Sequence, residues 1–219
     1  MMLPHHIAID GPAASGKTTL GRRLGLALGC VFLDAGLLYR TITWEALQAG
    51  ISLDDVNALA AIAAQLHVRV TPEYIRINHK APRRDLGEPN IDVAVPFVAQ
   101  HPEVREHVRC IQQHIAMREP VVFSGRDIGT VVLPEIELKF FLDVELEERV
   151  ERQFRRHNGL LDREFLASII EWRDTLDRER QHSPLKPAPD ALCINATYFS
   201  AEDTFNVAWQ HIERFMVLG

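Results

Sequence analysis

This chain of 219 residues is short of cysteine, of positive charge and of long apolar runs, and each shortage removes a class of protein. Its three cysteines, Cys30, Cys110 and Cys193, are widely spaced and form no CxxC pair. Neither a disulfide framework nor a structural zinc site is therefore expected, and all three read as small buried apolar residues in a reducing compartment. The formal charge of −6 leaves no global basic field to draw nucleic acid or an anionic membrane, so cationic side chains matter by position. No apolar stretch is long enough to cross a bilayer, and Met1-Met2-Leu3-Pro4-His5-His6 does not begin as a leader does. No nucleic-acid partner, no membrane and a cytoplasmic location are expected. Internal repeats, low-complexity tracts and an Asn-Lys-x-Asp guanine-reading motif are also missing. What remains, 47% hydrophobic and 25% charged residues, is the make-up of one ordinary globular core with a small excursion.

The most informative stretch is Gly11-Pro12-Ala13-Ala14-Ser15-Gly16-Lys17-Thr18, between the apolar run Ile7-Ala8-Ile9 and a helical pattern that begins near Leu20. A strand that feeds a glycine-rich loop into a helix N-terminus aims successive backbone N–H groups, and the positive end of the helix dipole, at one spot suited to a polyphosphate. In such a loop Lys17 reaches the β- and γ-phosphates and the Thr18 hydroxyl ligates magnesium. An ordinary strand-to-helix turn rich in small residues is the plain alternative, and the strand before and helix after argue against it.

Apolar runs at 7–10, 31–34, 121–123, 138–144 and 191–194 alternate with amphipathic stretches at 16–28, 37–48, 101–117, 146–157, 163–180 and 201–217. The alternation predicts an α/β fold, a mostly parallel sheet covered by helices on both faces. Residues 50–95 interrupt it. There, Leu66 to Val70 and Tyr74 to Ile77 read as a small hairpin apart from the main sheet, and Lys80 to Asn90, charged and rich in Pro and Gly, as a mobile loop.

Ligands of such sheets bind beyond the carboxyl ends of the strands, so the polar residues that follow each apolar run are the candidates. After the second run stand Asp34 and Arg40, which equally fit a helix N-cap and a solvated charge. After the third come Arg126 and Asp127, held between Gly125 and Gly129; adjacent along an extended chain, they cannot face each other and so address something else. Arg173, Asp177 and Arg180 return to one helix face at offsets of four and three, as either a phosphate-and-ribose clamp or a solvent-facing ion-pair ladder. Arg149, Arg152, Arg155 and Arg156 cluster before a break at His157-Asn158-Gly159, where they would close over a transferring phosphoryl group. Glu148 and Glu151, four residues ahead of Arg152 and Arg155, allow ordinary helix pairing as well.

Together the segments GPAASGKTT, LDAGLLYR, GRDIGTVVLPE and RDTLDRERQHSPLKPAPDAL resemble the bacterial cytidylate kinase family in spacing as well as content, from Ile7 to about Thr197. The resemblance implies a P-loop nucleoside monophosphate kinase fold with a five-stranded parallel sheet and helices on both faces. It implies one kinase domain over 1–219, an acceptor-binding insertion over 50–100 and a short lid at about 152–162. The implied reaction is phosphoryl transfer from MgATP to CMP or dCMP. Carried over by position, Gly11, Pro12, Ala13, Ala14, Ser15, Gly16, Lys17, Thr18 and Thr19 hold ATP, and Thr18 its magnesium. Arg40, Arg126 and Arg180 grip the acceptor phosphate beside Asp34; Arg105 and Asp127 read the cytosine edge; Arg173 and Asp177 hold the sugar; Arg152 belongs to the lid. Lys17, Arg126, Arg180 and Arg152 would carry the chemistry, and a monomer is expected.

The sequence also departs from the family pattern. Leu86-Gly87-Glu88 stands where an Ile-Arg-Thr-like segment is usual, Pro96 replaces a serine that contacts cytosine, Ala35 a small hydroxyl residue, and Gln112-Gln113 a Gln-Arg pair. Losing one such hydrogen bond costs on the order of 1 kcal/mol, which points to relaxed acceptor selectivity. A kinase for another monophosphate such as UMP, and a nucleotide sensor that does not transfer, are the alternatives.

Overall fold

Successive residues in a strand point to opposite faces, and β1 (His6–Asp10) shows the consequence: Ile7 and Ile9 enter one core, Ala8 the other. The computed structural model describes residues 6–218, so the residues on which the expectation of no leader rests lie largely outside it. The chain continues through α1 (Lys17–Leu28), β2 (Val31–Asp34), α2 (Ala35–Gln48), α3 (Val56–Ala64), β3 (Val68–Val70), β4 (Ile75–Ile77), α4 (Pro89–Ala99) and α5 (Pro102–Ala116). It ends with β5 (Val121–Gly125), β6 (Leu138–Asp143), α6 (Leu146–Arg156), α7 (Arg163–Glu179), β7 (Leu192–Asn195) and α8 (Ala201–Leu218).

The sheet has five parallel strands in the order β2-β5-β1-β6-β7. Leu20, Leu24 and Leu28, one turn apart on α1, pack with Ala208 and Ile212 of α8 against Ile7, Ile9, Leu138 and Phe140. The other face carries Phe123, Val31, Leu33 and Ile115 of α5. Between β2 and β5 the chain makes a third core, in which Leu38 and Ile42 of α2 meet Leu59, Ile77, Val98 and Val104. The antiparallel β3–β4 hairpin belongs to this insertion, as its sequence predicts.

Two helices of the insertion were not expected. Lys80 to Asn90 is not a mobile loop throughout: a 3₁₀ turn over Arg84–Gly87 leads into α4 at Pro89. Proline at the first position of a helix costs nothing, because its missing N–H would have no intrahelical partner there. The short helix α3 was also not foreseen. The cysteines split as well: Cys30 is buried, but Cys110 and Cys193 are exposed, which corrects the expectation that all three are core residues. No described helix is long and apolar enough to cross a membrane.

Candidate active site

The phosphate loop begins where β1 ends. Gly11 has φ +150°, and a Cβ there would stand 2.3 Å from the Leu142 carbonyl oxygen, so only glycine lets the loop pass beside β6. Helix α1 then opens with neither a side-chain cap nor an acidic residue in its first turn, which leaves its positive end and free N–H groups to an external anion. The Lys17 ammonium lies over the loop, donating to Pro12 O at 2.5 Å and to Ser15 Oγ at 3.3 Å. Burial, and then the charge of Arg126, hold Lys17 well below the usual lysine range. Beneath the loop, Asp10 accepts the N–H groups of Ile128 (2.9 Å) and Gly129 (2.8 Å), tying the turn after β5 to β1; burial pushes its carboxyl up to about 6.

Thr18 Oγ1 donates to Asp34 Oδ2 at 3.1 Å, while Asp34 Oδ1 accepts the Gly36 N–H at 2.9 Å. Asp34 is thus both the N-cap of α2 and a carboxylate that faces the loop. A hydroxyl and a carboxylate oxygen side by side are hard donors of the kind magnesium takes, so the residues fit that ion.

Five guanidiniums reach the loop, from α2, the turn after β5, α6 and α7. A cavity of about 330 Å³ is lined by six cationic side chains, Lys17, Arg40, Arg126, Arg152, Arg156 and Arg173, and by only two carboxylates, Asp34 and Asp92. In a chain of net charge −6 this is a concentrated positive field. Arg126 Nε donates to Asp177 Oδ2 at 2.7 Å, and Arg180 Nη1 to Asp177 Oδ1 at 3.2 Å. Burial would raise the Asp177 carboxyl, but Arg126, Arg173 and Arg180 around it hold it below the usual range. Arg126 and Asp127 do turn to different partners, as their sequence positions require. The ion-pair-ladder reading of Arg173, Asp177 and Arg180 fails, because Asp177 is buried. Arg173 makes no direct ion pair with Asp177, although its charge acts on that carboxyl; its paired carboxylate is Asp92, at 3.5 Å.

Beside this cavity lies a second, smaller pocket. Arg105 Nη2 donates to Asp127 Oδ2 at 2.5 Å, its guanidinium lies 5.6 Å from the centre of the Tyr39 ring, and burial pushes the Tyr39 phenol up to about 12. Ala35, Val95, Pro96 and Ala99 complete the walls. Arg105 Nε, Arg173 Nε and Arg180 Nη2 are buried without a hydrogen-bond partner, donors of the kind a polar ligand takes up.

The basic cluster of α6 divides. Arg149 is buried, paired with Asp174 at 2.5 Å and donating to Ala13 O at 3.3 Å, and so braces the loop from behind. This corrects its place in a cluster that closes over phosphate. Arg152 donates to Ser15 O (3.2 Å), Ala196 O (2.7 Å) and Glu148 (2.9 Å), and Arg156 lines the phosphate cavity. Arg155 stays exposed, paired with Glu151 as helix spacing predicts. Sequence reasoning missed Asp10, Tyr39, Asp92 and Asp174. Asp10 had a signal, a carboxylate that ends an apolar run; Asp92 lay in a stretch without recognisable periodicity.

A larger cavity, about 590 Å³, lies between α3, the hairpin and α5 and shares no residue with the phosphate loop. Strand-end geometry therefore locates the site and size does not.

A parallel sheet with a phosphate loop after its central strand, and arginines facing that loop from α2, the turn after β5 and the distal helices α6 and α7, defines a P-loop phosphotransferase. A gluconokinase structure from Sinorhizobium meliloti 1021 shares this fold, with a TM-score of 0.53 at 15% identity over 98% of this chain and 95% of that one. The family described as cytidylate kinase matches residues 7–214. Curated cytidylate kinases of Listeria monocytogenes (38% identity over 91% of this chain and 92% of that protein) and Alkaliphilus metalliredigens (35%, over 87% and 88%) are similar along nearly their whole lengths. The chain belongs to the cytidylate kinase family.

Proposed function

We propose that the protein transfers the γ-phosphoryl group of ATP to CMP or dCMP, giving CDP or dCDP and ADP. The observation that carries this reading is the convergence of Arg40, Arg126 and Arg173 on the same cavity as Lys17. Two anionic groups, one on the loop and one on the arginines, would there meet face to face.

Lys17 and the loop amides of residues 11–16 cradle the donor phosphates, with Thr18 and Thr19 at the helix start. Thr18, beside Asp34, would hold a magnesium ion, which when bound supplies charge neutralisation at the β- and γ-phosphates. Arg40, Arg126 and Arg180 take the acceptor phosphate, Arg173 reaches both that phosphate and the sugar, Asp177 holds the sugar, and Arg105 and Asp127 take the base. An acceptor phosphate is already a nucleophilic anion, so no side chain need become one. Catalysis is placement in line plus fixed positive charge, with Arg152 and Arg156 approaching the loop from the 152–162 lid. The 50–100 insertion serves as the acceptor-binding unit, since α4 walls the base pocket.

The deciding assay follows ADP release from MgATP with CMP, dCMP, UMP, AMP, GMP and shikimate in turn. CMP or dCMP is expected to lead. Faster turnover of UMP would overturn the base assignment, and no turnover with any of them would favour a sensor.

A further inference from the structure

Besides its apolar packing through Val98 and Phe97, helix α4 sends a carboxylate in among the phosphate-cavity arginines. Asp92 Oδ1 accepts from Arg40 Nε at 3.1 Å, and lies 3.0 Å from Arg40 Nη2 and 3.5 Å from Arg173 Nη1 as an ion pair. Asp177 neutralises Arg126, so one carboxylate from the insertion serves the other two guanidiniums.

Three observations show that this contact is built to be exchanged. Pro96 stands four residues after Asp92 inside α4, so the Asp92 carbonyl has no helical N–H to accept, and the turn that carries the carboxylate is the weakest in the helix. The adjoining acceptor pocket is only about 40 Å³ and is walled by Val95, Pro96 and Ala99 of α4. Small-molecule sites typically hold roughly 300–1,000 Å³, so an acceptor enters only if α4 shifts. Finally, Arg173 Nε is buried without a hydrogen-bond partner, and one oxygen of Asp92 does not use the donors that three phosphate oxygens would.

We propose that Asp92 is an internal stand-in for the acceptor's phosphate: it latches α4 over the acceptor pocket until a ligand bearing its own phosphate displaces it from Arg40 and Arg173. Asp92 is then a positioning residue that selects for phosphorylated acceptors. A nucleoside must open the same latch with nothing to offer the arginines. A phosphate dianion gains both guanidiniums and repels the carboxylate away. The inference rests on the acceptor site proposed above.

The test is CMP binding to the unaltered protein and to Asp92→Asn by titration calorimetry without ATP, with kcat and KM measured alongside. The amide keeps the size and removes the charge, so the Kd for CMP is expected to fall three- to tenfold, with KM changing more than kcat. Unchanged or weaker CMP binding in the variant overturns the latch while leaving the acceptor site standing; failure of CMP to bind the unaltered protein removes both. A crystal structure of the unaltered protein with CMP decides the matter should the variant fold poorly. The latch requires phosphate between Arg40 and Arg173, with Asp92 more than 4 Å from each, and Asp92 still paired with both beside bound CMP refutes it.

Discussion

Around Lys17 six cationic side chains face two carboxylates, whereas in the adjoining pocket, around Tyr39, four arginines face Asp127 and Asp177 and the apolar residues Ala35, Val95, Pro96 and Ala99 share the wall. The first region stands mostly on strand ends and long helices of the body; the second takes three of its apolar wall residues, Val95, Pro96 and Ala99, from α4. The difference separates two tasks. Phosphoryl transfer needs charge held still, because a group that must reorganise during the reaction loses much of its worth. Choice of acceptor needs a wall that moves and that tolerates substitution.

That contrast is open to attack at four points. Lys17→Ala is expected to lower kcat on the order of 10³-fold with every acceptor, since it removes fixed charge from the transfer centre; rescue by one particular acceptor would blur the two regions. Arg126→Ala should cost about 10²-fold in turnover of CMP and leave ATP binding nearly unchanged, and equal turnover with the unaltered protein would misplace the acceptor phosphate.

Asp10 tests the body alone. Its carboxyl titrates near 6 in the folded protein and near 3.8 when unfolded, so the folded chain binds a proton that the unfolded one does not. The resulting stability is fully present below pH 3.8 and is lost as pH rises through about 6. Asp10→Asn lacks this term and sets an amide N–H against a backbone donor. Denaturant unfolding should therefore show the unaltered protein ahead by about 1–3 kcal/mol at pH 5 and by less at pH 7. A gap that widens toward pH 7 contradicts the burial of that carboxyl.

The smallest effect is expected at the wall opposite α4, where α2 begins. Ala35→Ser returns a hydroxyl to the base pocket, and a net hydrogen bond of about 1 kcal/mol lowers the KM for CMP roughly fivefold. UMP should gain less. Equal gains for both would mean that this wall does not read the base.

The body was legible because its signals are local and repeated. Strands such as Val31–Asp34 are apolar runs buried on both faces, and the leucines of α1 recur every four residues. The insertion was half legible: the hairpin announced itself by alternation around a turn, but α4 hid behind Gly87, Pro89 and Pro96, whose helix-breaking habits depend on position. In the site, the phosphate loop and most arginines were readable because strand-end positions imply a common edge. Their partners were not. That Arg173 turns to Asp92 and not Asp177, and that Arg149 is sealed against Asp174, depends on distances between helices far apart in the chain.

The strand order has a consequence for how the molecule is made. The chain leaves the sheet at Asp34 and returns beside β2 only at Val121, and β5 is also the strand that links β2 to β1. On a ribosome the whole insertion must therefore emerge before the sheet can close, and until then β1 and β2 have no neighbour between them. Assembly that waits on distant pairing is slow and leaves strand edges open, so newly synthesised chains should meet their greatest risk of aggregation in that interval.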